Sequence, residues 1–257
     1  MQERNGDRPL TARNVLASTM LGADPPELPV AQLVHVAGLF GINENRARVA
    51  LSRMVASAEA TTDGAGRYAL AGHLLERQQR QAFSRAGRTA RWTGEWHMVV
   101  VSGAGADAEV RARRRRALTG ARLAELRQGT WLRPDNLELQ LDASSALSAT
   151  LGADGVVFMS RPQEDPVRLA HMLWDQAAWA TRARHLLARL EALTPRSASD
   201  LAPGFVLSAA VLRHFQADPL LPDELVPANW PGRPLRLAYD DWDRRYRQVL
   251  AAWSRIT

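Results

Sequence analysis

NENRARVALSRMVASA, residues 43–58, carries two opposed faces on one periodic segment. Ala47, Ala50, Leu51, Met54, Val55 and Ala58 recur at the spacing of an apolar helical stripe. Asn43 stands where an N-cap is wanted. With the stripe turned inward, Asn45, Arg46, Arg48, Val49, Ser52 and Arg53 point outward. A major groove about 12 Å wide admits one α-helix, arginine can bind guanine O6 and N7 with two donors, and asparagine does the same for adenine. The outward residue types therefore suit base reading, and a merely solvated charged face is the competing explanation.

The flanking sequence gives this helix a setting. Upstream, apolar residues from Thr11 to Met20 fall at helical spacing, and Gly22 and Pro25-Pro26 end that element. Pro29 opens a second helix, VAQLVHVAGLF, with Leu33, Val34, Ala37 and Phe40 on one face and Gly41 as its stop. Downstream, ATTDGAGRYAL predicts a two-stranded hairpin around Asp63–Gly66, with Arg67 at its tip. Three helices with a short glycine turn before the third, then a two-stranded wing, make the winged helix-turn-helix layout. The DNA-reading candidates are thus Asn43, Asn45, Arg46, Arg48, Ser52, Arg53 and Arg67.

Composition narrows the chemistry. Of 257 residues, 33 are basic and 27 acidic, a formal charge of +6, and every basic residue is arginine. Without lysine there is no Schiff-base lysine and no phosphate-binding P-loop lysine. Without cysteine there is no disulfide, thiolate zinc site or thiol nucleophile. Residues 1–91 hold 12 arginines against 8 acids, residues 92–160 hold 8 of each, and residues 161–257 hold 13 against 11. The excess thus concentrates at the front, where a polyanion would be met. The N-terminus is polar and unlike a signal peptide. No window reaches the roughly 18 apolar residues of a membrane span, so a soluble, cytoplasmic protein is expected.

The middle segment reads β-α-β-β-α-β: a strand at Glu95–Ser102, a helix from about Asp107 to Leu118, a hairpin in AELRQGTWLRPDN, a helix over about Leu139–Thr150, and the strand GVVFMS. That order is the ferredoxin-like arrangement. Gly103-Ala104-Gly105-Ala106-Asp107-Ala108, with Glu125 downstream, matches the dinucleotide fingerprint G-x-G-x-x-A. The immediate antiparallel hairpin argues against it, and an ordinary glycine-rich turn explains the same residues. Arg113–Arg116 point in successive directions around a helix, so a solvated face with acidic contacts outweighs a second DNA contact. Trp92, Trp96 and Trp131 are expected in the core.

The remainder reads as all-helical: Pro166–Leu193, Pro203–Gln216 and Asp240–Trp253, joined by the proline-rich connector DPLLPDELVPANWPGRP. His171, His185 and His214 lack metal-site spacing. Asp240, Asp241 and Asp243 are expected in the first turn of the last helix, favoured there by the macrodipole, rather than on a cation. No G-x-S-x-G elbow is present. No metal or catalytic residue is expected.

Three strings in order, LFGINENRARVALSRMV, EWHMVVVS with GTWLRPDN, and DPLLPDELVPANWPGRP, resemble the PaaX family, transcriptional repressors of phenylacetic acid degradation. The resemblance covers about Thr11 to Trp253. It implies an α+β chain of three parts: a winged helix-turn-helix with a linker helix at 1–88, a central ferredoxin-like domain at 89–161 similar to that of the CRISPR spacer-integration nucleases, and a helical C-terminal domain at 162–257. It further implies a homodimer on palindromic operator DNA, released by an acyl-CoA thioester such as phenylacetyl-CoA, with no resident cofactor. The related nucleases resemble a pattern with a metal-binding aspartate at the end of the first strand; Val101-Ser102 stand there in this chain, so an enzyme is not expected. The rival readings are a nucleic-acid-processing enzyme built on the middle segment, and a ligand-binding or scaffold protein whose front segment meets protein.

Overall fold

The computed structural model describes residues 11–23, 25–102, 107–137 and 146–254. It is a mixed helix-and-sheet chain with two antiparallel sheets. Two compact units divide it, one of Met1–Ala86, His185–Gln216 and Pro234–Thr257, the other of Gly87–Arg184 and Ala217–Arg233.

In the first unit, Thr11 caps α1 (Ala12–Leu21) by accepting the Asn14 N–H at 3.2 Å, so it starts the helix from outside. Next come α2 (Val30–Gly38) and α3 (Glu44–Ala56). Their inward residues, Leu16 and Met20, Leu33 and Ala37, Leu51 and Met54, form one buried cluster. The hairpin of β2 (Ala60–Thr62) and β3 (Arg67–Leu70) forms as read, but it gains a third strand, β1 (Glu27–Pro29), in the order β1-β3-β2. Three residues are too few to show alternation. Pro29 also suits an outer strand, where the missing N–H leaves no ladder bond unmade.

The first unit continues through α4 (Gly72–Ala86). A Cβ on Gly72, whose φ is +51°, would stand 2.7 Å from the Ala58 carbonyl oxygen, so only glycine starts the helix here. The same unit holds α9 (Leu201–Gln216) and most of α10 (Gly232–Ser254). Arg85 on α4 pairs with Asp240 at 2.7 Å and Asp243 at 2.9 Å. The Phe40 ring lies 5.0 Å from Phe205, and His35 stacks on Trp253 at 3.6 Å.

The last helix starts eight residues before Asp240, which corrects the expectation for the aspartates. Pro234 falls in its first turn, where an absent N–H costs nothing, so the proline-rich string runs into the helix instead of stopping short of it. The three aspartates then sit mid-helix, where a macrodipole cannot be their reason. Asp240 and Asp243 hold Arg85, Asp241 meets Arg244 at 2.8 Å, and Asp243 also accepts from Arg247 at 2.9 Å.

In the second unit, β4 (Trp96–Val101), α5 (Ala108–Gly120), β5 (Ala124–Arg127), β6 (Thr130–Pro134), α6 (Ala146–Leu151) and β7 (Gly155–Ser160) keep the order read from the sequence. The first part of the helix expected over 139–150 lies outside the described residues. The sheet runs β5-β6-β4-β7 with every pair antiparallel. One face of β4 buries Val99 and Val101 with Leu118, Trp131 and Leu151. On the other, Trp96 meets Leu132, Leu169 and Leu225. Gly129 turns the hairpin at a φ of +79°, with the position of a Cβ 2.6 Å from the Val101 carbonyl oxygen.

Arg133 on β6 is fully buried. Its guanidinium donates to the Pro134 and Ala121 carbonyls and to Asn136 Oδ1, at 3.1, 3.3 and 2.9 Å. Desolvation pushes its pKa down to about 9, helped by nearby Arg122.

The single helix expected over 166–193 is two, α7 (Pro166–Leu173) and α8 (Gln176–Ala192). Trp174 is extended, and Asp175 restarts the helix by accepting the Ala178 N–H at 2.9 Å. No helix among the described residues is long and apolar enough to cross a membrane.

Candidate nucleic-acid interface

Asn43 Oδ1 accepts the Arg46 N–H at 2.9 Å and fixes the start of α3. That oxygen anchors the start of the helix, and the amide hydrogens of the exposed Asn43 side chain are left for a partner. At the other end the helix stops at Ala56, two residues before the expected limit. Ala58 takes a φ of +55°, its N–H bonds to the Val55 carbonyl, and the Glu59 N–H bonds to the Met54 carbonyl. This is the left-handed Schellman ending, here with alanine in the usual glycine place. Ala58 is consequently exposed and outside the helix, not part of its inward stripe.

Asn45, Arg46, Arg48, Val49, Ser52 and Arg53 are all exposed on α3. Their charges are not equally available. Arg48 Nε donates to Glu44 Oε1 at 2.7 Å, one turn back on the same helix. The guanidinium groups of Arg46 and Arg53 bond to no described residue. Arg67 opens β3 beside the turn, where it is exposed and ion-paired with Glu27 of β1. The turn itself is built by Asp63, which accepts the Arg67 and Ala65 N–H groups at 2.9 and 2.8 Å; these bonds hold its carboxyl below the usual range.

A shallow cleft of about 610 Å³ opens along this face, lined by Asn45, Arg46, Val49 and Arg53 from α3 and by Arg13 and Glu59. Arg13 and Glu59 were not singled out in the sequence, and nothing local links residues 46 apart. Arg13 Nε donates to Glu59 Oε2 at 2.7 Å, with a second contact from Nη2 to Oε1, and His73 Nε2 lies 3.6 Å from Oε1. The Arg13 bond, more than any other cause, lowers the Glu59 pKa. A carboxylate with a depressed folded pKa contributes stability above its unfolded value, lost as the pH falls through the folded one. The melting temperature of the wild type is thus expected to fall more steeply from pH 5 to pH 3 than that of Glu59→Gln. Equal slopes would remove this pair from the acid response.

The other sequence candidates have structural occupations. Arg114 reaches Asp154 at 2.5 Å, and Arg115 reaches Glu125 at 2.5 Å while lying over the Trp131 ring. The acidic contacts expected for that arginine run are present for these two. Glu125, the acid of the supposed dinucleotide fingerprint, also accepts the Gly129 N–H at 3.2 Å. Asp107 caps α5 through the Val110 N–H at 2.8 Å; Gly103–Ala106 lie outside the described residues. Among the described residues no group of three or more acids or histidines is placed to hold a metal.

Comparison with known proteins adds three findings. Residues 89–165 match the family model described as the PaaX protein central Cas2-like domain, and residues 174–255 match that of the PaaX-like protein C-terminal domain. A solved structure described as the uncharacterized protein Rv0674 from Mycobacterium tuberculosis is 39% identical, with a TM-score of 0.75, over 95% of this chain and 98% of that one. No curated protein matches.

Proposed function

The chain belongs to the PaaX family, and from that premise we propose that it is a cytoplasmic, DNA-binding transcriptional regulator that reads operator sequence with α3. The observation that carries this reading is the outward face of α3, where Asn45, Arg46 and Arg53 stand exposed and the two guanidinium groups bond to no described residue. A guanidinium with no partner among the described residues keeps its donors toward them free for a ligand, and guanine offers a planar two-acceptor edge. The first unit supports the docking geometry. α2 and α3 form the helix-turn-helix, Gly41 turns between them, and the β2–β3 hairpin with β1 forms the wing. The Arg67–Glu27 pair gives Arg67 a fixed position at the wing, suited to positioning against phosphate.

We read the second-unit sheet as ferredoxin-like, since β5-β6-β4-β7 is the strand order of that fold. The regulator acts as a homodimer and most naturally as a repressor, released when an acyl-CoA thioester such as phenylacetyl-CoA favours an arrangement unable to bind the operator. The test is selection of fragments from the source genome by the full chain, followed by titration of the enriched duplex at several salt concentrations. Expected are one dominant sequence, often the chain's own upstream region, and affinity falling linearly in log–log form with salt. Enrichment of no sequence would overturn the reading.

A further inference from the structure

Among the outward residues of α3, Val49 alone is not polar. It is apolar, 42% exposed, and one helical turn from both Asn45 and Arg53. Residues 45, 49 and 53 are spaced i, i+4, i+8, so they form one ridge, with Arg46 and Ser52 alongside. The inward stripe of the helix is complete without Val49, since Ala47, Leu51 and Met54 are the residues it buries. Alanine or a charged residue would serve a wet face better, as valine loses side-chain freedom in a helix.

The chemistry of the groove supplies a partner for an apolar group in that place. Thymine alone among the four bases carries a methyl group into the major groove, and an apolar side chain against it both excludes water and discriminates against cytosine. Resting on the DNA-reading assignment above, we infer that Val49 is a specificity-determining residue that packs on the C5-methyl of a thymine in each half-site, between the bases met by Asn45 and Arg53. Four residues of helix rise about 6 Å, and base pairs step about 3.4 Å. The thymine therefore lies within about two base pairs of each neighbouring contact.

The probe is the duplex enriched from a randomised double-stranded library by the full wild-type chain, with its thymines replaced one at a time by deoxyuridine. That exchange removes one methyl and leaves every hydrogen bond. At one thymine per half-site, deoxyuridine is expected to weaken wild-type binding about fourfold, the worth of one buried methyl. Val49→Ala, which removes the contact from both half-sites, should lose about 16-fold on the thymine duplex and be indifferent to deoxyuridine at that position. Val49→Ile should retain the methyl preference. The inference is overturned if no deoxyuridine substitution weakens the wild type, or if the sensitive position weakens Val49→Ala equally. Failure of the wild type to enrich any duplex is a different result, since it overturns the DNA-reading assignment itself. Val49 is exposed and alanine is the better helix former, so the fold survives the exchange.

Discussion

Arg46→Ala and Arg53→Ala are each expected to weaken binding to the selected duplex about 10- to 100-fold per half-site, and the double variant more than either. A bidentate arginine–guanine contact is worth about 1–3 kcal/mol of discrimination, and 1.4 kcal/mol is a factor of ten. The two residues are seven apart, two turns of α3, or about 10 Å along its axis. That separation spans about three base-pair steps. They therefore meet different bases, and their losses should come close to adding. Base readers and phosphate clamps part on salt: losing a base contact leaves the slope of log affinity against log salt nearly unchanged, whereas losing a phosphate contact reduces it by about one.

Arg48→Ala is the internal comparison. Its guanidinium is held by Glu44, so its removal should cost less than either of the others. The measurement is fluorescence anisotropy of the labelled duplex at three or more salt concentrations, with a scrambled duplex beside it. Unchanged affinity in both Arg46→Ala and Arg53→Ala would remove α3 as the reading helix.

These arginines were legible because helical periodicity assigns faces with no knowledge of what lies opposite. The stripe Ala47, Leu51, Met54 fixes the angle of every other residue on α3, and the six outward ones are exposed as that angle requires. Periodicity does not say where the helix ends. Ala58 carries no warning that it will turn left-handed, since glycine is the residue that usually marks such an ending. Nor does it reveal which charges are paired within the chain. The Glu44–Arg48 pair has the i,i+4 spacing that could have shown it, whereas Arg13 with Glu59, Arg67 with Glu27 and Arg85 with Asp243 join residues far apart in sequence.

In the second unit the strand and helix order followed from turn signals such as Gln128-Gly129. The break between α7 and α8 did not, because Trp174 continues the apolar pattern while its backbone leaves the helix. Arg133 shows the limit most plainly. Composition counts it among 33 exchangeable cations, and only the packed structure shows a guanidinium buried among two carbonyls and an asparagine.

Trp96→Ala is expected to destabilise the protein by about 3–5 kcal/mol, the cost of deleting a buried aromatic and leaving a cavity. Trp96 is 1% exposed, with Trp92 edge-on at 6.1 Å and Trp174 stacked at 6.5 Å. It belongs to β4, paired with β6 on one side and β7 on the other. A strand held along both edges cannot sink into the space an indole vacates, so the void persists and the cost falls at the upper end for a large-to-small change. Total stabilities of natural domains lie near 5–15 kcal/mol, so such a loss is a large fraction of what keeps a unit of this kind folded. Trp96→Phe keeps a ring in the pocket and should lose clearly less. Urea unfolding followed by circular dichroism measures the difference, and a loss under about 1 kcal/mol for Trp96→Ala would mean that the sheet face it covers contributes little to holding this unit together.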